Sequence, residues 1–153
     1  MDKRFPNYCI ETHNAEAHYW NQNLAEHRGG DLKAAVMKCL HLSNAPLRYW
    51  CYCAEFVCFA RQHLAQSGIG WRTPHEMLFG ETSDISVFRF TFWEPIWYYD
   101  RNLKFPDAKM LPGHFLGIAY HTGNDFCYYV IPSSEENKKH RVTILAWSVI
   151  RKH

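Results

Sequence analysis

Asn23 and Glu26 stand three residues apart, where a polar stretch gives way to an apolar periodicity. Asn is a good helix N-cap, because its side-chain oxygen accepts from the free backbone N–H groups of the first turn. A carboxylate in that turn lies against the positive end of the helix dipole. Two chemistries follow. Glu26 can serve the helix itself, as the acid of a capping box, and on spacing alone this is the commoner outcome. It can also hold a divalent cation together with other carboxylates. Metal-assisted phosphoryl transfer needs several of them converging on ions roughly 4 Å apart. Mg²⁺ suits that task because it takes oxygen ligands and keeps several waters. Glu11, Glu16 and Asp31 do not complete such a set, and Asp2 is the only Asp ahead of Glu26.

Cys51, Cys53 and Cys58, with His41 and His63 nearby, are the other residues of metal-binding type. They form no CxxC pair. Cys51 and Cys58 are seven apart, on the apolar face of an expected helix, while Cys53 points elsewhere. Buried or idle thiols are the simpler reading. Six Cys behind an N-terminus with no apolar h-region read as reduced intracellular thiols.

The elements that must position these residues follow from periodicity and caps. From Leu24 to Leu42, the residues Leu32, Ala35, Val36, Cys39, Leu40 and Leu42 keep close to helical spacing. Gly29 and Gly30 interrupt it, each costing about 1 kcal/mol against Ala. Lys33 falls two turns after Glu26 on the same face. Asn44 is expected to cap a second helix, with Pro46 in its first turn. Its apolar stripe reads as Leu47, Trp50, Cys51, Ala54, Val57, Cys58 and Leu64, with Trp50 as a packing anchor between helices. Residues 66–71 read as a loop. Thr73 caps a short helix with Pro74 and Glu76 in its first turn, ended by Gly80.

From Phe88 the chain turns aromatic and β-favouring as far as Tyr99, with Pro106 and Pro112 as punctuation. Further strands are expected at Phe115–Tyr120, Phe126–Ile131 and Arg141–Ile150, with a hairpin turn at Thr122-Gly123-Asn124-Asp125. A short strand is expected near Tyr8, Ile10 and Thr12. Several short strands joined by tight turns suggest a small barrel or curled sheet. The dense aromatics read first as its core filling and second as base-stacking platforms. Lys138, Lys139 and Arg141, beside His140, form a basic run that reads as a solvated turn or as a phosphate contact.

Gln22-Asn23-Leu24-Ala25-Glu26 resembles the QN-x-AE signature of integrases from copia-type LTR retrotransposons. Tyr19 precedes it at the family's spacing. Asn44-Ala45-Pro46 and Trp50 follow, then Thr73-Pro74-His75-Glu76, Gly80-Glu81-Thr82 with Asp84-Ile85-Ser86, and Phe92-Trp93-Glu94-Pro95. Gly113-His114-Phe115-Leu116-Gly117 and Ser148-Val149-Ile150-Arg151 complete the series. The blocks run in order from Ile10 to Arg151.

The resemblance implies an α+β chain in two parts. Residues 1–80 would be the C-terminal part of an RNase H-like catalytic core, with one strand and two or three helices. Residues 81–153 would be a small antiparallel β-barrel of Src-homology type. Glu26 would be the last of three acidic Mg²⁺ ligands and the catalytic residue inherited from a DDE-type polynucleotidyl transferase. Gln22 and Asn23 would shape its loop, and Lys33 would face DNA. Two upstream Asp ligands of the family have no counterpart here, so the chain alone is expected to lack strand transfer and to need no cofactor. DNA is the implied partner, through the full-length parent, which would be a homo-oligomer working in the nucleus. The alternative is a non-catalytic remnant that binds nucleic acid or protein.

Composition bounds these readings. The chain of 153 residues holds one ordinary domain or two small ones, and its net charge of +2 is no strong nucleic-acid footprint. No run approaches the roughly 18 apolar residues of a membrane span.

Overall fold

The computed structural model describes residues 24–100, 103–106, 108–122, 127–133 and 142–153. The chain divides into two units, Met1–Asp31 and Leu32–His153. The expected strand near Tyr8, the loop at 14–22, the hairpin turn at 123–125 and the basic run at 138–141 lie outside the described residues. What is described is a mixed α+β chain with three α-helices and an open, antiparallel five-stranded sheet. Among the described residues no helix is long and apolar enough to cross a membrane.

Helix α1 (Leu24–Ser43) runs through Gly29 and Gly30, with open space around both. Its end corrects one expectation. Asn44 does not begin the next helix; it closes this one, in the left-handed region at φ +53°. The Asn44 N–H donates to the His41 carbonyl and the Ala45 N–H to the Leu40 carbonyl. That pair of bonds is a Schellman motif, and Asn is the residue besides Gly that tolerates its left-handed position. Leu40 and Ala45 are both buried in one cluster, which supplies the apolar contact of the motif.

A single 3₁₀ turn (Leu47–Tyr49), capped by extended Pro46, leads into α2 (Trp50–Gln62). Here the helix phase differs from the expected one. Cys53 is fully buried, while Cys51 and Cys58 are exposed. Trp50 is 62% exposed, so it is not buried as a packing anchor between helices. The reason is that α2 is apolar almost all round, so periodicity leaves its phase open. Packing selects the face carrying Tyr49, Tyr52 and Phe56, with the small Cys53 at its centre. Leu47 and Leu64 are left on the outside.

Helix α3 (Pro74–Phe79) follows its sequence signals. The Thr73 hydroxyl accepts from the Glu76 N–H at 3.1 Å, and Gly80 ends the helix in a left-handed conformation.

The strands are β1 (Pro95–Tyr99), β2 (Met110–Ile118), β3 (Cys127–Pro132), β4 (Thr143–Ala146) and β5 (Ile150–Lys152), in the order β4-β3-β2-β1-β5. The aromatic run gives a strand only from Pro95. Strand β2 starts earlier than expected and contains Pro112, which pairs with Trp97 of β1. The Pro112 carbonyl accepts from the Ser133 N–H, so its nitrogen also points to the β3 side, just beyond the end of that strand. The missing N–H therefore leaves the β1 ladder whole. The single expected strand at 141–150 is two strands, split by a 3₁₀ turn at Trp147–Val149.

Those two strands form opposite edges of the sheet. Four strand spacings in a flat sheet would separate them by about 19 Å. The four-residue step from Ala146 to Ile150 spans at most about 14 Å. The sheet must therefore curl. A bulge in β2 between Phe115 and Gly117, with Gly117 at φ +149°, supplies a bend that other residues would resist.

Both faces of the curled sheet are covered. On one, Ile96, Tyr98, Phe115, Ile118, Tyr128, Val130 and Ile150 enclose a core closed by Val87 and Phe90. On the other, Leu116 and Ile131 receive Val36, Leu40, Tyr49 and Cys53 from the helical segments, together with Phe92. Residues on both sides of position 80 thus share one apolar core within Leu32–His153.

Candidate functional site

Three groups of residues could carry function. The first is the start of α1. Glu26 lies in its first turn and is exposed. One turn on, Asp31 pairs with His27 at 3.3 Å and with Arg28 at 3.8 Å, both at the surface. Such exposed pairs are worth little. Among the described residues no three of His, Cys, Asp and Glu converge as a cation site. The described carboxylates therefore do not fit a pair of Mg²⁺ ions. Lys33, also on α1, is exposed. Gln22, Asn23, Lys138, Lys139 and Arg141 lie outside the described residues.

The second group is a ladder of rings where the strand-preceding turn meets the second unit's helices. The Arg48 guanidinium sits 4.9 Å above the Tyr49 ring, and Tyr49 stacks on Trp93 at 5.0 Å. Trp93 in turn stacks on His114 at 4.4 Å, nearly parallel at 10°. His114 Nδ1 lies 3.3 Å from the Ser133 hydroxyl. Burial holds the His114 imidazole below its usual pKa, which favours the neutral ring. Trp93 has φ +64°, a costly conformation for a bulky side chain. Its surroundings over-determine it. The Trp93 N–H donates to the Phe115 carbonyl at 2.8 Å and the Phe115 N–H to the Glu94 carbonyl at 3.0 Å. The Glu94 carboxylate accepts from the Thr91 N–H and hydroxyl. Strain held in this way is a feature that function can use.

The third group lines a groove of about 910 Å³ among α2, α3, β2 and β3. Tyr52 and Tyr129 form one end, with ring centroids 5.4 Å apart and planes at 63°. His63 and His75 stack at 5.2 Å further along. His63 Nδ1 lies 2.9 Å from the Phe59 carbonyl oxygen, which can only accept, so the proton belongs on Nδ1 and Nε2 is left to other partners. Phe59 and Phe88 pack against the same imidazole. Beyond it, the Asp84 carboxyl is held below its usual pKa, first by the Ser86 N–H that it accepts at 2.8 Å, with His63 adding a smaller pull. Glu55 and Glu81 line the groove, and among the described residues no Lys or Arg does. A groove with aromatic walls, carboxylates and imidazoles suits a cation or a neutral ring, and opposes a polyanion.

The groove is the part that the sequence did not disclose. Tyr52 and Glu55 are three apart on one helix, which could have been read as a pair. Their approach to Tyr129, far along the chain, has no local signal. His63 and His75 likewise meet only through the packing of α3 on α2.

No family model matches the chain, and no curated protein and no solved structure matches it.

Proposed function

We propose that the chain is a piece of a copia-type retrotransposon integrase, whose parent activity is Mg²⁺-dependent joining of DNA ends. The observation that carries this reading is the ordered series of blocks from Gln22-Asn23-Leu24-Ala25-Glu26 to Ser148-Val149-Ile150-Arg151. Three features of the fold agree with it. Glu26 lies in the first turn of a long helix. Leu42, Leu47 and Trp50 are each more than half exposed, as helix faces would be in a fragment of a larger RNase H-like core. The five short strands curl through a bulge and a 3₁₀ turn, in keeping with a small barrel derived from residues 81–153.

On this reading Glu26 is one inherited ligand of three, and the described residues supply no complete two-metal site. The complete enzyme would use Mg²⁺ to polarise the attacked phosphate and stabilise the leaving oxygen. This chain would retain only DNA contact, through Lys33 and the basic residues Lys138, Lys139 and Arg141. A non-catalytic binding domain is the second reading, favoured by the aromatic groove of the second unit.

The test is a titration of the purified chain with Mg²⁺ and Mn²⁺, followed by NMR at the Glu26 and Asn23 amides, with and without a short duplex. The integrase reading expects duplex shifts at Lys33 and 138–141; a metal response at the Glu26 and Asn23 amides that the duplex strengthens would mean that the inherited site survives in part. Silence at all of these positions would overturn that reading. Strand transfer by the isolated chain, abolished in Glu26→Gln, would overturn the expectation that the fragment is inactive.

A further inference from the structure

Among the described residues, the groove of the second unit is lined mainly by aromatic rings, imidazoles and apolar side chains, and its carboxylates are Glu55 and Glu81. The rings of Tyr52, on α2, and Tyr129, on β3, touch at a wide angle and make a corner that opens into it. Both rings are only partly buried. Glu55 stands one turn after Tyr52, is exposed, and lines the same space. Its charge reaches both phenols. Burial first, and Glu55 among the further causes, raise the pKa values of Tyr52 and Tyr129.

These features discriminate between ligand classes. A phosphate-bearing ligand would approach Glu55 and Glu81 with no Lys or Arg among the described residues to meet it. A neutral apolar ligand would fill the corner but strip water from Glu55 without repaying it. An alkylated cation is served by every part. Its positive charge is attracted to the ring faces, and its methyl groups bury against them. The carboxylate at the rim completes the neutralisation. A primary ammonium is served less well, because aromatic faces cannot replace the three hydrogen bonds it gives up with water.

We propose that the Tyr52–Tyr129 corner, with Glu55 at its rim, binds an alkylammonium group of the trimethylammonium type. The ligand is either a free quaternary amine or a trimethylated lysine side chain presented by a peptide. The site stands whether or not the integrase reading holds, since it uses none of the residues on which that reading rests.

The test is an NMR titration of the whole chain with tetramethylammonium chloride, against sodium chloride at equal ionic strength. Neopentyl alcohol serves as the neutral isostere. The expected result is a saturable shift at Tyr52, Glu55 and Tyr129 in the millimolar range, with neopentyl alcohol at least about tenfold weaker. Glu55→Gln, an exposed position, should weaken binding about threefold or more while leaving the rest of the spectrum unchanged. Tyr52→Leu, which keeps an apolar wall but removes the ring, should weaken it by about tenfold. A trimethyl-lysine peptide that binds more tightly than tetramethylammonium, with the unmethylated peptide weaker, supports the site with a peptide ligand. Equal affinity supports it with a free amine. Equal binding of the neutral alcohol, shifts elsewhere in the molecule, or indifference to Glu55→Gln would overturn the proposal.

Discussion

The two faces of the sheet are built to different standards. On the face closed by Val87 and Phe90, the side chains of Phe115, Tyr128 and Val130 are almost wholly buried and interlock as rings against branched residues. Its deepest hydroxyl, on Tyr128, donates to the Val87 carbonyl at 3.3 Å. On the helix-covered face the Tyr49 hydroxyl is buried with no hydrogen-bond partner among the described residues. Beside it lie a strained Trp93 and a buried thiol, Cys53, whose Sγ reaches the Val36 carbonyl at 3.7 Å. Native structures satisfy nearly all buried polar groups, and exceptions gather where something other than stability has shaped the packing. The first face is a stabilising core. The second tolerates imperfection, and the groove borders both clusters, through Leu116 of this one and Ile118 of the other, with Phe56 packed against each.

The largest test of that contrast is truncation. Phe115→Ala should cost about 3–5 kcal/mol in urea unfolding, because the ring contacts Phe90, Tyr128 and Phe56 and the enclosed site cannot collapse. Leu116→Ala, on the helix side, removes fewer atoms from a site bordering the groove and should cost about 2–3 kcal/mol. The reverse order would place the stabilising core on the helix side.

The next test is chemical. Burial first, then the neighbouring Cys39 thiol, push the Cys53 pKa up to about 12. Raised above the ordinary 9.0, the folded pKa keeps Cys53 a thiol, so its contribution to stability is full below pH 9 and is lost as pH rises towards 12. With a thiol reagent at pH 8, Cys51 and Cys58 should react quickly, and Cys53 only as fast as the chain opens. Rapid labelling of Cys53 in the folded chain would mean that the helix-covered face is open to solvent.

A smaller effect is expected from Tyr128→Phe. It leaves the buried Val87 carbonyl without its donor and should cost about 1 kcal/mol. His114 adds a pH dependence of similar or lesser size. Its folded pKa is depressed by burial, so the unfolded chain binds the proton more readily. Stability should be constant above the ordinary value of 6.5 and fall as pH drops below it, and His114→Gln should flatten that slope.

Legibility in the sequence follows the same division. Signals that are local and one-dimensional are legible. Apolar periodicity marks Leu24–Ser43 as a helix, and Thr73, Glu76 and Gly80 bound α3 as caps do. Strand β3 can be placed within a residue or two at either end. Choices made by packing are not legible. Asn44 can serve either end of a helix, and only its left-handed φ distinguishes the two. The phase of α2 is hidden because Trp50, Cys51, Tyr52 and Cys53 are all apolar enough to face a core. Pro112 looks like a break because strand partners, which decide whether a missing N–H matters, are not in the local sequence. The groove depends on Tyr52 meeting Tyr129 across more than seventy intervening residues, and no spacing rule reaches that far.

The smallest expected effect is the most discriminating, because its sign is at stake. Tyr49→Phe removes a buried hydroxyl that has no partner among the described residues and keeps the ring that stacks on Trp93 and lies under Arg48. The desolvation cost of an unpaired hydroxyl is about 1–3 kcal/mol, and the variant should recover part of it. Stability should therefore be unchanged or raised by up to about 1 kcal/mol, opposite in sign to Tyr128→Phe. A loss equal to that of Tyr128→Phe would mean that the Tyr49 hydroxyl finds a partner in solution, such as an ordered water. The helix-covered face would then be as fully satisfied as the other, and only the strained Trp93 would mark it as shaped by something besides stability.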